Sequence, residues 1–253
     1  MTGVVNDALH RDGEERLAYS RRGGSSPGIV WLGGFKSEMT ATKASALDDW
    51  SARAGHAFVR FDYFGHGASS GDFRHGTITR WRDDALAIID ELTTGRQILV
   101  GSSMGAWLAL LAALARPQRL AALLLIAPAV DFTQSLLWNR LDANMQEEIL
   151  TKGEWLRPTI YGSEPYPITR TLIEDGRKHL LLGRAINLSC PIRIVQGMED
   201  PDVPWMHAVK LVEALGPDTH LTLVKNGDHR LSKPHELALI EQILSGLVAD
   251  ARG

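Results

Sequence analysis

The stretch ILVGSSMGAW, residues 98–107, joins a predicted buried strand to a predicted helix through a turn of small residues. It fits the pattern G-x-S-x-G only with Ser103 in the middle. A sharp turn from strand to helix lifts one hydroxyl above the sheet, and side chains two positions before or after it would collide, which explains Gly101 and Gly105. The helix also directs free N–H groups towards the turn. The pattern predicts Ser103 as a nucleophile, whereas Ser102 is expected to point into the packing.

Short apolar segments alternate with segments of helical spacing along most of the chain. Continuous apolar runs of this length are typical of strands buried in a parallel sheet, and the longer segments between them supply crossover helices. The alternation predicts an α/β fold with a mostly parallel, twisted sheet flanked by helices. The predicted strands are 28–33, 56–63, 96–101, 120–127, 192–197 and 221–226, with 16–22 as an antiparallel edge strand.

The alternation is interrupted once, between the strand that ends near Ala127 and the strand that begins near Ile192. A loop of this length without structure of its own is uncommon in a compact domain. We therefore expect one domain, residues 1–253, with a small helical cap inserted at about 130–188 over one end of the sheet.

Composition and charge exclude several classes of partner. A net charge of −3 without a dense Lys/Arg run argues against nucleic acid. No apolar run of about 18 residues is present, so stable membrane insertion is not expected. The single cysteine, Cys190, cannot form an internal disulfide, and the N-terminal residues resemble neither a secretory signal nor a transit peptide. These features predict a cytoplasmic protein that acts on a small-molecule or acylated substrate.

A serine hydroxyl needs a base, and His229 in KNGDHRLS has the best position of the nine histidines. It follows the last predicted strand, at the sheet edge where ligands bind in α/β proteins. His66, in the loop after an earlier strand, is a weaker alternative at that edge. His207 and His235 are expected on the surface of helices, and His220 at the opposite edge.

The acid that orients the base should follow an earlier strand at the same edge. Asp200, in the loop after the strand IRIVQG, satisfies this condition. Asp202 is the second choice, although its place just before Val-Pro suggests a helix cap. Asp131, which follows another strand, is a further alternative, and Asp228 is expected to be a turn residue.

Two backbone N–H groups are expected to form an oxyanion hole. One donor is Met104, which follows the nucleophile, and the other is Phe35 in LGGFKS after the strand GIVWLG. Gly33 and Gly34 leave this backbone free to approach a ligand. No G-x-G-x-x-G or H-E-x-x-H motif is present, so neither a dinucleotide cofactor nor a metal is expected.

Four motifs in this order resemble those of the α/β-hydrolase family. They are the turn around Ser103, FDYFGHGASSG (61–71), which resembles the family's D-x-x-G-x-G-x-S turn, GMEDPDVP around Asp200, and GDHR around His229. The resemblance extends from about residue 15 to 248. It implies the α/β-hydrolase fold for the chain.

A closer resemblance is carried by FDYFGHGASSG, ILVGSSMGAWLALLAALARP, KGEWLRPTIY and CPIRIVQGMEDPDVPW. It is to a mitochondrial branch of the family, described as mycophenolic acid acyl-glucuronide esterases and palmitoyl-protein thioesterases. The resemblance implies Ser103, Asp200 and His229 as a catalytic triad that hydrolyses acyl esters or thioesters. The chain departs from the family at 33–34, where Gly-Gly replaces a common His-Gly.

Together, these residues predict a serine hydrolase that cleaves carboxylic esters or thioesters through an acyl-enzyme. Serine at position 103 argues against relatives with an aspartate nucleophile, such as epoxide hydrolases and dehalogenases. Two alternatives remain: a C–C hydrolase or perhydrolase with the same triad, and a non-catalytic protein that keeps only the pocket.

Aromatic and aliphatic residues of the predicted cap have two interpretations. They form a pocket for an acyl or aromatic group, or they pack the cap onto the sheet. The residues are Leu136, Leu137, Trp138, Trp155 and Tyr161.

Overall fold

The computed structural model describes residues 4–11, 13–159 and 164–251. An eight-stranded sheet has the order β1-β2-β4-β3-β5-β6-β9-β10, and β7 and β8 form a separate antiparallel pair. Strand β2 pairs antiparallel with both of its neighbours, β1 and β4, and all other neighbouring strands in the large sheet are parallel. The strands are β1 (Val4–His10), β2 (Arg16–Arg22), β3 (Ser25–Leu32), β4 (His56–Phe61), β5 (Gln97–Ser102), β6 (Leu120–Ile126), β7 (Glu154–Arg157), β8 (Tyr166–Thr169), β9 (Ile192–Gly197) and β10 (Thr219–Val224).

Helices connect the parallel strands, as the alternation of the sequence predicts. Polar residues begin several of them: the Thr77 side chain accepts a hydrogen bond from the N–H of Arg80, and Asp142 accepts one from Met145. The helices are α1 (Thr42–Ala54), α2 (Ile78–Leu92), α3 (Met104–Ala115), α4 (Ala143–Lys152), α5 (Arg170–Gly176), α6 (Trp205–Ala214) and α7 (Pro234–Asp250).

The apolar runs are continuous because both faces of the sheet are covered. Along β3, Val30 and Leu32 join the core cluster that contains residues of α2, α3 and α6. Their neighbours Ile29 and Trp31 join the opposite cluster, which contains residues of α1 and α7. Successive side chains of a strand point to opposite faces, so both must be apolar here. The prediction of a mostly parallel α/β sheet flanked by helices is confirmed.

The antiparallel end of the sheet differs from the prediction. Residues 16–22 form an antiparallel strand, but β1 lies outside it and forms the edge. The sequence of β1, VVNDALH, has no buried apolar face, and most of its residues are exposed. Backbone pairing with β2 holds the strand in the sheet, and hydrophobic periodicity does not report such pairing.

Residues between β6 and β9 contain more than the predicted helices. The segment includes α4, α5 and short 3-10 and π turns, but also the hairpin of β7 and β8. The insertion contains helices, as predicted, and also a short hairpin that the sequence did not predict. Trp155 and its neighbours in EWLR lie half-buried or exposed in a four-residue strand, too short for alternation to be recognised.

Polar contacts hold this segment together and attach it to the loops of the sheet. Arg157 of β7 donates a hydrogen bond of 2.9 Å to the carboxylate of Asp202. Asp131, after β6, accepts hydrogen bonds from the backbone N–H groups of Leu181 and Leu182. Asp131 therefore joins the beginning of this long segment to residues near its end.

A buried carboxylate joins β2, α1 and β4. Asp48 is 6 % exposed and binds Arg22 at 2.9 Å and Arg60 at 3.2 Å through its two oxygens. Arg60 also donates to the carbonyl of Met39 in the loop that follows β3. This ion cluster holds that loop against the sheet.

The Asp48→Ala variant is expected to lose about 3 kcal/mol of unfolding free energy, because two largely buried guanidinium groups lose their counter-charge. Urea denaturation followed by circular dichroism measures the change. The control is Glu174→Ala, which removes an ion pair with Arg170 whose side chains are 51 % and 49 % exposed. That variant is expected to lose less than about 1 kcal/mol. Equal losses in both variants would contradict the prediction.

Candidate active site

Ser103 occupies the turn between β5 and α3. Its backbone has φ 56° and ψ −119°, a left-handed φ that is unusual for a residue other than glycine. A Cβ on Gly101 would lie 2.4 Å from the carbonyl oxygen of Gly105, and one on Gly105 would lie 2.1 Å from that of Leu32. The turn therefore requires glycine at both positions, as the sequence pattern predicts.

Ser103 is hydrogen-bonded to His229, and His229 to Asp200. The Ser103 Oγ lies 3.0 Å from His229 Nε2, and His229 Nδ1 lies 2.7 Å from Asp200 Oδ2. A carboxylate can only accept a hydrogen bond, so Nδ1 carries a proton and donates a hydrogen bond to Asp200. In the neutral ring, Nε2 then presents its lone pair to the serine hydroxyl. The structure thus brings together the three residues that the sequence selects.

Asp200 is held by several donors at once. Its Oδ1 accepts from the N–H groups of Asp202 at 2.9 Å and Val203 at 2.8 Å, and its Oδ2 accepts from the Gln196 amide at 3.1 Å. Its carboxylate is fully buried. Gln196 was not selected from the sequence, although a polar residue within the buried strand IRIVQG is itself a signal, because buried polar groups need a partner.

The other carboxylates selected from the sequence have different partners. Asp131 binds backbone N–H groups at 181–182, away from His229. Asp202 binds Arg157 and does not cap the next helix, whose N-cap residue is Pro204. The interpretation of Asp202 as a cap is therefore wrong. Asp228 accepts from the N–H groups of residues 230 and 231, so the prediction of a turn residue is confirmed.

The remaining histidines lie apart from Ser103. His207 is only 8 % exposed, and its Nε2 lies 2.8 Å from the carbonyl oxygen of Val130, so the prediction of a surface residue is wrong. His235 is exposed near the start of α7, as predicted. His66 is buried, and its ring nitrogens face the carbonyl of Phe64 and the N–H of Lys36.

The loop after β3 passes directly over Ser103. A Cβ on Gly34 would lie 3.3 Å from Ser103 Cβ and 4.0 Å from Oγ. Phe35 and Met104, the two predicted N–H donors, both line the cavity above the serine. Within residues 4–11, 13–159 and 164–251, neither of these N–H groups has a hydrogen-bond acceptor.

The turn at 61–71 holds the loop after β3 through the carboxylate of Asp62. Asp62 accepts from the N–H of Met39 at 2.6 Å and from that of Ala68 at 2.9 Å. A Cβ on Gly67 would lie 2.1 Å from Asp62 Oδ2, so only glycine allows the turn to close around the carboxylate. Burial raises the pKa of Asp62, and the two backbone N–H groups oppose this rise.

A lysine that was not selected from the sequence supports the histidine loop. The Lys43 ammonium donates to the carbonyl oxygen of Arg230, the residue after His229. Burial lowers the pKa of Lys43 to about 8, and the nearby carboxylate of Asp228 opposes this change. Lys43 therefore links the start of α1 to the loop that carries His229.

Ser103 and His229 lie at the floor of a cavity of about 640 Å³. This volume lies within the range of small-molecule sites, about 300–1,000 Å³. Four lining residues are basic: Lys36, Lys43, Arg157 and Arg230. Apolar and aromatic residues supply another part of the lining, which we call its apolar side: Phe35, Ala129, Phe132, Leu136, Leu137, Tyr166 and Ile168.

The two tryptophans selected for the pocket, Trp138 and Trp155, lie outside the cavity lining in the described structure. Trp138 and Trp155 are half-buried and pack against the main core cluster, and among the described residues the cavity lining does not include them. The Arg177 guanidinium lies 5.0 Å from the centre of the Trp138 ring. Tyr161 lies outside the described residues. Leu136 and Leu137 do line the cavity, beside Phe132 and Tyr166.

Three side chains of the site are of types that can bind metals. Asp200, Asp202 and His229 have ligand atoms within 4.8 Å of one another. The oxygens of Asp200 already accept four hydrogen bonds from N–H groups, which suits an anion holding donors rather than a metal ligand. None of the described helices has the length and apolar character needed to cross a bilayer.

Comparison with known proteins gives close relatives. The mouse mitochondrial palmitoyl-protein thioesterase ABHD10 is 40% identical over 244 residues, which cover 95% of this chain and 81% of the relative. The solved structure of mouse alpha/beta hydrolase domain-containing protein 10 matches with a TM-score of 0.89 at 38% identity, covering 97% and 98% of the two chains. A solved structure from Agrobacterium vitis S4 matches with a TM-score of 0.93 at 40% identity, covering 97% and 99%.

These relatives contradict the prediction of a cytoplasmic protein, because the mouse relative is named as mitochondrial. The prediction relied on the N-terminal composition and on a single cysteine. A single cysteine suits any reducing compartment and does not distinguish one from another.

The family itself follows from the extent of the similarity. Residues 23–238 match the model of the alpha/beta hydrolase family, a span that includes Ser103, Asp200 and His229. The mouse relative matches over nearly the whole chain. The chain belongs to the alpha/beta hydrolase family.

Proposed function

We propose that the protein is a serine hydrolase that cleaves carboxylic thioesters and esters through an acyl-enzyme, with Ser103 as nucleophile, His229 as base and Asp200 as the acid that orients it. The observation that carries the proposal is the continuous hydrogen bonding from Ser103 Oγ through His229 to Asp200, at 3.0 and 2.7 Å, on the floor of the cavity. A nucleophile, its base and a third group that orients the base is the arrangement that nucleophilic catalysis needs.

The reaction proceeds in two halves. Ser103 Oγ forms a bond to the acyl carbon while its proton moves to His229 Nε2, which leaves a negative charge on the former carbonyl oxygen. The carbon–sulfur or carbon–oxygen bond then breaks, and His229 returns the proton to the departing thiol or alcohol. Water, deprotonated by the same Nε2, then attacks the acyl carbon. The bond from this carbon to Ser103 Oγ breaks, Nε2 returns the proton to Oγ, and the acid is released. Asp200 stabilises the imidazolium that forms in each half.

The backbone N–H groups of Phe35 and Met104 are the proposed oxyanion hole. Both flank Ser103, and Met104 also begins α3, whose positive N-terminal end favours a developing negative charge. Each donor of this kind supplies about 3 kcal/mol of transition-state stabilisation. A Cβ on Gly34 would lie 3.3 Å from Ser103 Cβ, so glycine at this position keeps the space beside the nucleophile open.

The apolar side of the cavity suits an acyl chain. Its lining comes from the loop after β3 and from the segment between β6 and β9, at Phe132, Leu136 and Ile168. The mouse relative is named a palmitoyl-protein thioesterase, which supports a fatty acyl thioester as substrate for this chain as well. The acyl site is therefore assigned to the predicted cap, at about 130–188, which contributes these three residues to the lining.

The Ser103→Ala variant is expected to lose roughly 10⁴-fold or more of kcat, because the nucleophile is removed. The assay is steady-state hydrolysis of acyl chains from acetyl to palmitoyl, as oxygen esters and as thioesters. Ser102→Ala is the matched control and is expected to keep turnover close to that of the wild type. Undiminished turnover by Ser103→Ala would overturn the proposed nucleophile. Well-folded wild-type protein without turnover would favour a binding protein, or a carbonyl substrate of the C–C hydrolase or perhydrolase type.

The Asp200→Asn variant is expected to lower kcat by about 10⁴-fold, because an amide cannot accept the His229 proton and favours the wrong tautomer. Asp131→Asn is the matched control, since it changes a buried carboxylate that accepts from the backbone N–H groups of Leu181 and Leu182. Turnover of the two variants with one activated ester decides the assignment. A larger loss in Asp131→Asn would move the acid role away from Asp200.

Chain-length preference is expected to shift in Leu136→Trp, because the larger side chain fills the apolar side of the cavity. The ratio of kcat/KM for long against short acyl groups should fall by about tenfold or more, since each excluded methylene forfeits about 0.8 kcal/mol. Trp155→Phe, also in the cap but outside the cavity lining, is the control and should keep the wild-type ratio. A shift in Trp155→Phe alone would place the acyl site elsewhere.

A further inference from the structure

His66 is a buried histidine beside the loop that carries Phe35. It is 3 % exposed and lies in the turn at 61–71 that supports this loop. Its Nδ1 lies 3.1 Å from the carbonyl oxygen of Phe64, and its Nε2 accepts a hydrogen bond of 3.2 Å from the N–H of Lys36. Lys36 follows Phe35 directly.

These partners select one form of the ring. The Phe64 carbonyl only accepts, so Nδ1 must carry a proton. The Lys36 N–H only donates, so Nε2 must keep its lone pair. Only the neutral Nδ1-protonated ring satisfies both. Burial lowers the pKa of His66 to about 4, which keeps the ring neutral at physiological pH.

Aromatic packing fixes the position of this acceptor. The His66 ring makes edge contacts with Tyr63, Phe73 and Trp81, with centres 5.6, 5.0 and 5.2 Å apart. The Trp81 indole N–H donates to the same Phe64 carbonyl at 3.0 Å. His66 therefore cannot turn or shift without disturbing several buried rings.

The loop that His66 contacts has an unfavourable backbone. Lys36 has φ 60°, a left-handed conformation without the freedom of glycine. Before Phe35 the loop contains the buried residues Gly33 and Gly34, which have no side chains to anchor it. The bond from Lys36 N–H to His66 therefore restrains the peptide that follows Phe35.

We propose that His66 is a positioning residue for the oxyanion hole: as a neutral hydrogen-bond acceptor, it holds the Phe35–Lys36 peptide so that the Phe35 N–H faces the acyl oxygen. The inference rests on the proposed function, because it assigns a role in the same reaction. His66 touches no reacting atom and acts only through the loop.

Two substitutions separate the two ring nitrogens. His66→Asn places its amide near the Nδ1 position, so it can still donate to Phe64 but cannot reach Lys36. His66→Gln extends to the Nε2 position and can still accept from Lys36. We expect His66→Asn to lower kcat by about 10- to 100-fold with KM almost unchanged, since an oxyanion contact acts mainly in the transition state. His66→Gln is expected to recover most of kcat.

Inhibitor binding reports on the oxyanion hole itself. An alkyl trifluoromethyl ketone forms a tetrahedral adduct with Ser103 and should bind His66→Asn more weakly by the same factor as the loss of kcat. An alkyl ether of equal length has no carbonyl oxygen and should bind the variant and the wild type alike. The control variant is His56→Asn, at the opposite edge of the sheet, where another buried ring faces the carbonyl of Pro27. It should keep kcat.

Three results would overturn the proposal while leaving the proposed function intact in the wild type. The first is a His66→Asn variant whose kcat and ketone affinity equal those of the wild type. The second is an equal loss in the Asn and Gln variants that follows only the loss of thermal stability. The third is a parallel loss of ketone and ether binding. An inactive wild type would instead count against the proposed function.

Discussion

The left-handed backbone of Ser103 is the constraint on which the site depends. This conformation requires the strand and the helix to meet with no side chains between them. A methyl group at position 101 or 105 would collide with the backbone, so both positions are glycine. Tertiary packing maintains this conformation, because β5 lies in the middle of the sheet and α3 is buried along most of its length. The packing that stabilises the parallel sheet therefore also fixes the position of the Ser103 hydroxyl.

Around this serine, the loops at one edge of the sheet are held by buried polar groups. Gln196 and two backbone N–H groups hold Asp200, Lys43 holds the carbonyl after His229, and Asp62 holds the loop that carries Phe35. Each of these partners comes from a different segment of the chain. The geometry between Ser103, His229 and Asp200 thus depends on contacts that lie one layer behind them, as preorganised sites require.

Much of this arrangement is predictable from the sequence, and the reasons are local. Buried parallel strands appear as apolar runs, and a glycine-flanked serine between strand and helix has few other uses. Features stabilised by pairing or by distant contacts are not predictable in this way. Strand β1 exposes most of its residues, and the hairpin of β7 and β8 is too short for periodicity. His207 on α6 is buried, and its ring bonds to the carbonyl of Val130, which is distant in sequence. The ion pair of Asp202 with Arg157 is likewise not predictable from the sequence, because only the fold brings the two residues together.

The place where the cap enters and leaves the sheet has an evolutionary consequence. The chain departs after β6 and returns at β9, two neighbouring parallel strands, so the whole excursion begins and ends without altering strand order or register. Insertions, deletions and recombination within it leave the hydroxyl, imidazole and carboxylate where they are. Under the proposed function, mutations there would alter which acyl groups bind, and mutations next to the strand ends would alter the hydrolysis itself. A lineage with this architecture can therefore diversify in substrate preference without first losing its chemistry.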